Sequence, residues 1–291
     1  MQVTLLGTGC PQCDPERLGP ASLVRAGKCQ LLIDVGSGAT QRLVSAGSSG
    51  RNLDAVLLTH LHSDHIVDLF QLVISSWHQG RDRPHRVYGP KGTRHFVDGL
   101  LALWRPEFEQ RIAHEMRPST AALQVEVTEI APGEILRLDE VVVRAVAVDH
   151  FPVREAFGFV VETRDRRVVF SGDTAPCAAL IEAAKGADLL VHECFIHGIM
   201  KPEPGLRTRE GIDNVARYHT ASVDVGEIAA KAGVRCLMLN HFVPTRFDKD
   251  KVLADVRRAY DGPVLVGEDL MSVDLETRMV THGGARIGLG A

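Results

Sequence analysis

Short apolar, β-branched runs recur along the chain at residues 3–6, 31–34, 55–59, 86–88, 125–130, 141–148, 157–162, 168–171, 189–192, 236–240 and 263–267. Their length predicts strands buried on one or both faces. Between them the apolar spacing changes to a helical period at 39–46, 64–77, 92–103, 177–184, 223–232 and 249–260. In 223–232, Val225, Ile228, Ala229 and Ala232 share one helical face and Gly233 supplies a stop. Strands and helices mixed in this way predict an α+β fold, a layered sandwich with helices outside paired sheets. Neither a tandem repeat nor a low-complexity linker divides the 291 residues, so residues 1–291 read as one body of two fused halves, about 1–130 and 131–291.

Composition is near the globular average, 45% hydrophobic and 24% charged, which excludes a disordered chain and a disulfide-stapled miniature. The formal charge of -4, without a dense Lys/Arg stripe, gives little attraction to a polyphosphate backbone, so a nucleic-acid partner is not expected. The first residues enter a strand-like run with no basic leader, and no apolar stretch is long enough to span a membrane; a cytoplasmic protein is expected. Six cysteines are too few for a disulfide scaffold. Cys10 and Cys13 have C-x-x-C spacing, but without a second such pair they read as loop thiols.

The anomaly is thirteen histidines, three of which crowd with an aspartate into His60-Leu61-His62-Ser63-Asp64-His65 at the end of an apolar strand. On an extended turn alternate residues point the same way, so His60 and His62 can grip one ion while Asp64 and His65, at a helix start, face a neighbouring one. Three more ligand types, His150, Asp173 and His241, also stand at strand ends, where sites on layered sheets are built. His78, His85, His95, His114 and His282 have no such setting and read as surface or helix residues.

The segment 59–65 stands as Thr-His-x-His-x-Asp-His, and His150, Ser171-Gly172-Asp173-Thr174 and Asn240-His241 follow at matching places; with these the chain resembles the metallo-β-lactamase-fold hydrolase superfamily over nearly its whole length. Within it the chain is similar to the ribonuclease Z and arylsulfatase-like branch, through Ile33-Asp34-Val35-Gly36-Ser37-Gly38, Tyr88-Gly89-Pro90-Lys91-Gly92, Val191-His192-Glu193 and His219-Thr220. The resemblance implies a four-layer αβ/βα sandwich, with one zinc on His60, His62 and His150, a second on Asp64, His65 and His241, and Asp173 bridging them. Manganese or iron suits the same ligands. Two such ions share a hydroxide whose pKa falls to about 7, which gives metal-assisted hydrolysis. The resemblance further implies that Asp34 orients ligands, that Glu193 and His219 form an acid/base pair beside Asp64, and that the protein is a homodimer.

Departures from the relatives narrow the activity. Asp173 disfavours a true β-lactamase, and the His219-Thr220 motif ranks thioester hydrolysis lower. Bacterial ribonuclease Z proteins carry a long basic arm between the positions matching His150 and Asp173, which in this chain stand only 23 positions apart, room for two strands and a turn. The leading expectation is therefore a dinuclear zinc hydrolase of a small ester-like molecule, a phosphodiester or sulfate ester. Alternatives are an armless tRNA 3′-processing endonuclease, a lactonase or hydrolytic dehalogenase, and a metal-bound structural or sensing protein. Residues 195–218, with Pro202, Pro204, Gly205 and Gly211, read as a lid loop. Trp77, Trp104 and Phe108 are either walls for a small substrate or ordinary core aromatics, and Arg207 and Arg209 are candidates to meet an anionic group.

Overall fold

Alternate residues of a strand face opposite sides of its sheet, and here both sides are apolar. The computed structural model, which describes residues 1–289, resolves these strands into two sheets. The first begins with β1 (Gln2–Gly7), β2 (Ala21–Ala26), β3 (Cys29–Ile33), β4 (Ala55–Leu57), β5 (His85–Gly89) and β6 (Val125–Glu129). The second holds β7 (Gly133–Leu138), β8 (Val141–Ala147), β9 (Phe157–Glu162), β10 (Arg167–Phe170), β11 (Leu189–Phe195), β12 (Leu237–Val243) and β13 (Val264–Val266). The last strands, β14 (Ser272–Asp274), β15 (Met279–His282) and β16 (Ala285–Gly288), return to the first sheet beside β1. Each sheet starts antiparallel and becomes parallel, at β3–β4 in the first and β10–β11 in the second.

The sheets face each other across one core. Val3, Leu5, Ile33 and Leu57 of the first pack with Phe159, Val161, Val191 and Met238 of the second. Intervening residues point outward to helices. Leu32, Val56 and Leu58 meet α1 (Ala39–Ser45), α3 (Leu69–His78) and α4 (Thr93–Glu115), while Val169, Leu190 and Leu237 meet α5 (Ala178–Ala183), α7 (Ser222–Ala232) and α8 (Lys249–Val256). This is the four-layer αβ/βα sandwich. Two short helices, α2 (Ser63–Ile66) and α6 (Arg209–Arg217), complete the set. Among the described residues no helix is long and apolar enough to cross a membrane.

Several expectations shift. The helical pattern over 64–77 breaks into α2 and α3 because Asp68 leaves the helix: its N–H donates to Val35 O (3.0 Å) and its carboxylate accepts from Thr40 N (2.6 Å). Helix α4 runs past Leu103 and through Pro106, its exposed continuation supported by Arg111 between Glu107 and Glu115. Trp77 and Phe108 are buried in a satellite cluster with Ala122 and Leu123, and Trp104 stacks on Phe70 at 4.1 Å, so these aromatics do not wall the site. Residues 195–218 are not one irregular loop. Phe195 closes β11, and the Thr208 hydroxyl caps α6 by accepting from Gly211 N at 3.0 Å.

His85, expected as a surface or helix residue, is instead 1% exposed at the start of a strand, β5. Burial, reinforced by the Arg81 and Arg83 charges, pulls its pKa down to about 3. A base depressed in the folded state is protonated first in the unfolded chain. Its contribution to stability is therefore complete above about pH 6.5 and erodes as pH falls toward the folded value. We expect His85→Gln to lose about 2 kcal/mol less stability than the parent between pH 7 and pH 5, read from urea midpoints. Parallel acid profiles for the two proteins would contradict this.

Candidate metal centre

The motif after β4 delivers its ligands where a buried strand emerges: His60 is fully enclosed and Asp64 and His65 lie in α2. Asp173 follows β10 through Gly172, at φ 59, where a Cβ would meet Phe157 O at 2.5 Å; a larger residue has no room there. His241 arrives differently. Between β11 and β12, Glu193 pairs with Asn240 and Cys194 with Phe242, so His241 is the extra residue of a bulge, held at φ 41. A bulge re-aims one side chain out of the strand's alternation, and here it turns an imidazole toward the first sheet's ligands.

These elements bring all seven expected ligands together. His60, His62, His150 and Asp173 form one group with donor atoms within 4.8 Å of one another, and Asp64, His65 and His241 form a second. A single oxygen, Asp173 Oδ2, lies 3.9 Å from His60 and His150, 3.4 Å from His65 and His241, and 4.0 Å from His219. Asp64 Oδ2 is 3.3 Å from His241 Nε2 and 3.6 Å from His65 Nε2.

The far sides of three of the rings are fixed. His65 Nδ1 bonds Asp34 Oδ2 at 2.8 Å, His60 Nδ1 sits 3.0 Å from the Thr59 hydroxyl, and His150 Nδ1 donates to Tyr218 O at 2.9 Å. Asp34 also accepts from Thr59 N at 2.8 Å, so one strand-end carboxylate, itself at φ 59, sets both the turn and a ring. Fixing Nδ1 leaves Nε2 aimed at the centre. Thr59 and Tyr218 were not singled out as candidates. Thr59 could have been found from its place at the head of the motif, whereas Tyr218 acts through a main-chain oxygen that no side-chain pattern signals.

Burial, with the neighbouring rings, holds His60 well below the ordinary range, and burial draws His150 down to about 4. Neutral imidazoles are ligands in waiting. Burial also opposes charge on His65 and on Asp173, yet the Asp173 and Asp34 carboxylates raise the ring and the surrounding histidines lower the acid. His60 Nε2 and His65 Nε2 are buried with no hydrogen-bond partner, each at a cost of about 1–3 kcal/mol. Imidazole nitrogens and carboxylate oxygens around unpartnered atoms fit divalent transition metals.

Beside the ligands, Glu193 Oε1 accepts from His219 Nδ1 (2.9 Å), Thr174 N (2.8 Å) and Thr220 N (3.3 Å). Burial opposes charge on His219, but the Glu193 carboxylate raises it to about 9. Among the expected lid residues, Arg207 is engaged by Glu203 at 3.1 Å. Both Cys10 and Cys13 are free thiols; Cys10 is buried, and that burial pushes its thiol up to about 11, leaving it neutral.

A family model, the β-lactamase superfamily domain, matches residues 30–242. A protein of Mycobacterium marinum named ribonuclease Z is 38% identical over 283 residues, 96% of this chain and 100% of that protein. Among solved structures, the metallo-β-lactamase fold protein YhfI of Bacillus subtilis aligns with TM-score 0.72 and 22% identity, over 94% of this chain and 99% of that one. The short form of human tRNase Z aligns with TM-score 0.67 and 22% identity, over 94% and 99%.

Proposed function

This chain belongs to the β-lactamase superfamily, in the ribonuclease Z branch of its metal-dependent hydrolases, and on that premise we propose that it is a dinuclear zinc phosphodiesterase. His60, His62 and His150 would hold one zinc, Asp64, His65 and His241 the other, with Asp173 between them. Bound there, the pair would supply Lewis-acid charge and lower the pKa of a bound water to about 7. The chain's own contribution is orientation and a proton. Asp34, Thr59 and the Tyr218 carbonyl hold the ligand rings, and His219, kept cationic by Glu193, stabilises charge on a phosphoryl oxygen or protonates the departing one. The observation that carries this reading is the meeting of both ligand groups on Asp173 Oδ2, with the His219–Glu193 pair alongside.

A phosphodiester is favoured over a sulfate ester, lactone or carbon–halogen bond by the name of the relatives. A small substrate is favoured over folded RNA by the stretch between His150 and Asp173. It is filled by β9, β10 and a turn in which Thr163 N donates to Arg166 O (2.9 Å), with no basic arm to grip an acidic polymer. The second reading, cleavage of precursor tRNA at its 3′ end, rests on the ribonuclease Z name of relatives matched over nearly their full length.

The test is a panel of bis(p-nitrophenyl) phosphate, p-nitrophenyl sulfate, a lactone and a precursor tRNA, run with protein of measured metal content. We expect turnover of the diester with two equivalents of zinc and little cleavage of the tRNA. Turnover of only the sulfate or lactone would overturn the phosphodiester reading, and efficient tRNA cleavage at moderate salt would replace the small substrate with RNA. The proposal includes a homodimer, which sedimentation equilibrium checks.

A further inference from the structure

Asp173 follows β10 and His241 lies late in β12; at the ends where those two strands begin, three arginines meet. Arg166 comes just before β10, Arg235 just before β12 and Arg278 from the turn between β14 and β15, and with Asp188, Cys236 and Leu289 they line a cavity of about 190 Å³. We propose that this cavity binds a dianionic phosphate group, free or as the monoester of a small alcohol. The site stands whichever bond the metal centre cleaves. Arg235 and His241 are 241 minus 235, or six, positions apart on extended chain, about 20 Å, so an anion here touches no substrate there.

Charge sets the sign of the ligand. In a chain of formal charge -4, three of the four charged side chains in this wall are cationic, an excess of two. Guanidiniums around one cavity repel one another unless negative charge lies between them. Asp188 supplies one such charge, its Oδ1 accepting from Arg235 Nη1 at 3.1 Å, but its Oδ2 is taken by Arg167 N at 2.8 Å. Glu276 accepts from Arg166 Nη2 at 3.4 Å from outside the wall, and its other oxygen is 3.0 Å from the Met1 ammonium. The Glu276 charge is thus matched by Met1, and the excess of two is what a phosphate dianion neutralises.

The donors are also in place. Arg235 N donates to Ala187 O at 2.9 Å, Thr163 N to Arg166 O at 2.9 Å and Leu289 N to Arg278 O at 2.8 Å, so each arginine extends from an anchored backbone. Arg235 spends only Nη1 on Asp188, which leaves Nε and Nη2 for a ligand. The flat guanidinium fork matches two phosphate oxygens at once. Cys236 adds no competing charge: it is 2% exposed, and burial pushes its thiol up to about 12. With Leu289 it keeps water from one side and strengthens the attraction. The volume lies below the roughly 300–1,000 Å³ of sites for drug-sized ligands, so the occupant is a phosphate with a small substituent and not a nucleotide.

The experiment is isothermal titration of zinc-loaded protein with inorganic phosphate and, separately, with methyl phosphate, the metal content being measured throughout. Phosphate also meets the metal centre, so two binding events are expected in the parent. Combining Arg235→Gln with Arg278→Gln should weaken one of them at least about tenfold and leave the other, and the metal content, unchanged. Asp188→Asn keeps an acceptor for Arg167 N while removing the negative charge of the wall, and should tighten the same event severalfold, a gain that misfolding does not produce. Methyl phosphate binding in step with phosphate identifies a monoester site, and phosphate alone a site for the free ion. No binding beyond that at the metal centre, or binding that the arginine variant leaves untouched or Asp188→Asn fails to tighten, would overturn the proposal. So would a single-stranded RNA that displaces phosphate from the arginines at moderate salt.

Discussion

Asp173→Ala should lower kcat for diester hydrolysis by about a thousandfold or more and leave the purified protein with less than one equivalent of metal. Asp173 Oδ2 stands within 4.0 Å of imidazoles from both groups. Its removal takes a negative charge from the centre of a buried cluster, so that two bound cations would repel each other with less negative charge between them. About thousandfold corresponds to about 4 kcal/mol, in the range for removing one partner of a buried charge pair. Metal content by atomic absorption and turnover at saturating zinc are the measurements, with circular dichroism to show that the sheets persist. A variant that retains two equivalents and a tenth of its activity would show that Asp173 does not join the sites.

His219→Ala should reduce kcat by about a hundred- to ten-thousandfold, the usual span for a positioned acid, while two equivalents of metal remain bound. The separation of the two readouts matters. His219 is held by Glu193, with Asp173 at 4.0 Å, so a merely structural or ligating imidazole would lose metal along with rate. Glu193→Gln keeps an acceptor for Thr174 N and Thr220 N but removes the charge that keeps His219 protonated, and should reproduce most of the loss. If His219→Ala also empties a metal site, the histidine is a ligand and the acid lies elsewhere.

Legibility from sequence followed how local each determinant is. The segment 59–65 is read directly because strand end, turn and helix start lie within seven residues, and the structure gathers His60, His62, Asp64 and His65 as that local geometry requires. Strands such as β9, buried on both faces, announce themselves as unbroken apolar runs. Strand β2 does not: Ala21-Ser22-Leu23-Val24-Arg25-Ala26 carries small and charged residues, and it becomes a strand because β1 and β3 pair with it on either side. The bulge that turns His241 inward is a property of two strands in register, and the burial of His85 depends on the packing around β5, so neither is written in local sequence. Helix α4 outruns the 92–103 pattern because an exposed helix can lose one hydrogen bond at Pro106 and continue on charge pairs.

The return of β14–β16 to the first sheet sets an order on the nascent chain. The second sheet, continuous from β7 to β13, has all its strands in sequence before β14 begins. The first does not: β1 presents a bare hydrogen-bonding edge until Gln2, Val3 and Thr4 pair with Asp274, Val273 and Ser272. Until Asp269 is in place, Thr8 N and Leu18 N also lack the carboxylate that accepts from them. The sheet that starts the chain is therefore the one completed last, and the outer edge of β1 stays open to pairing until its C-terminal partner arrives.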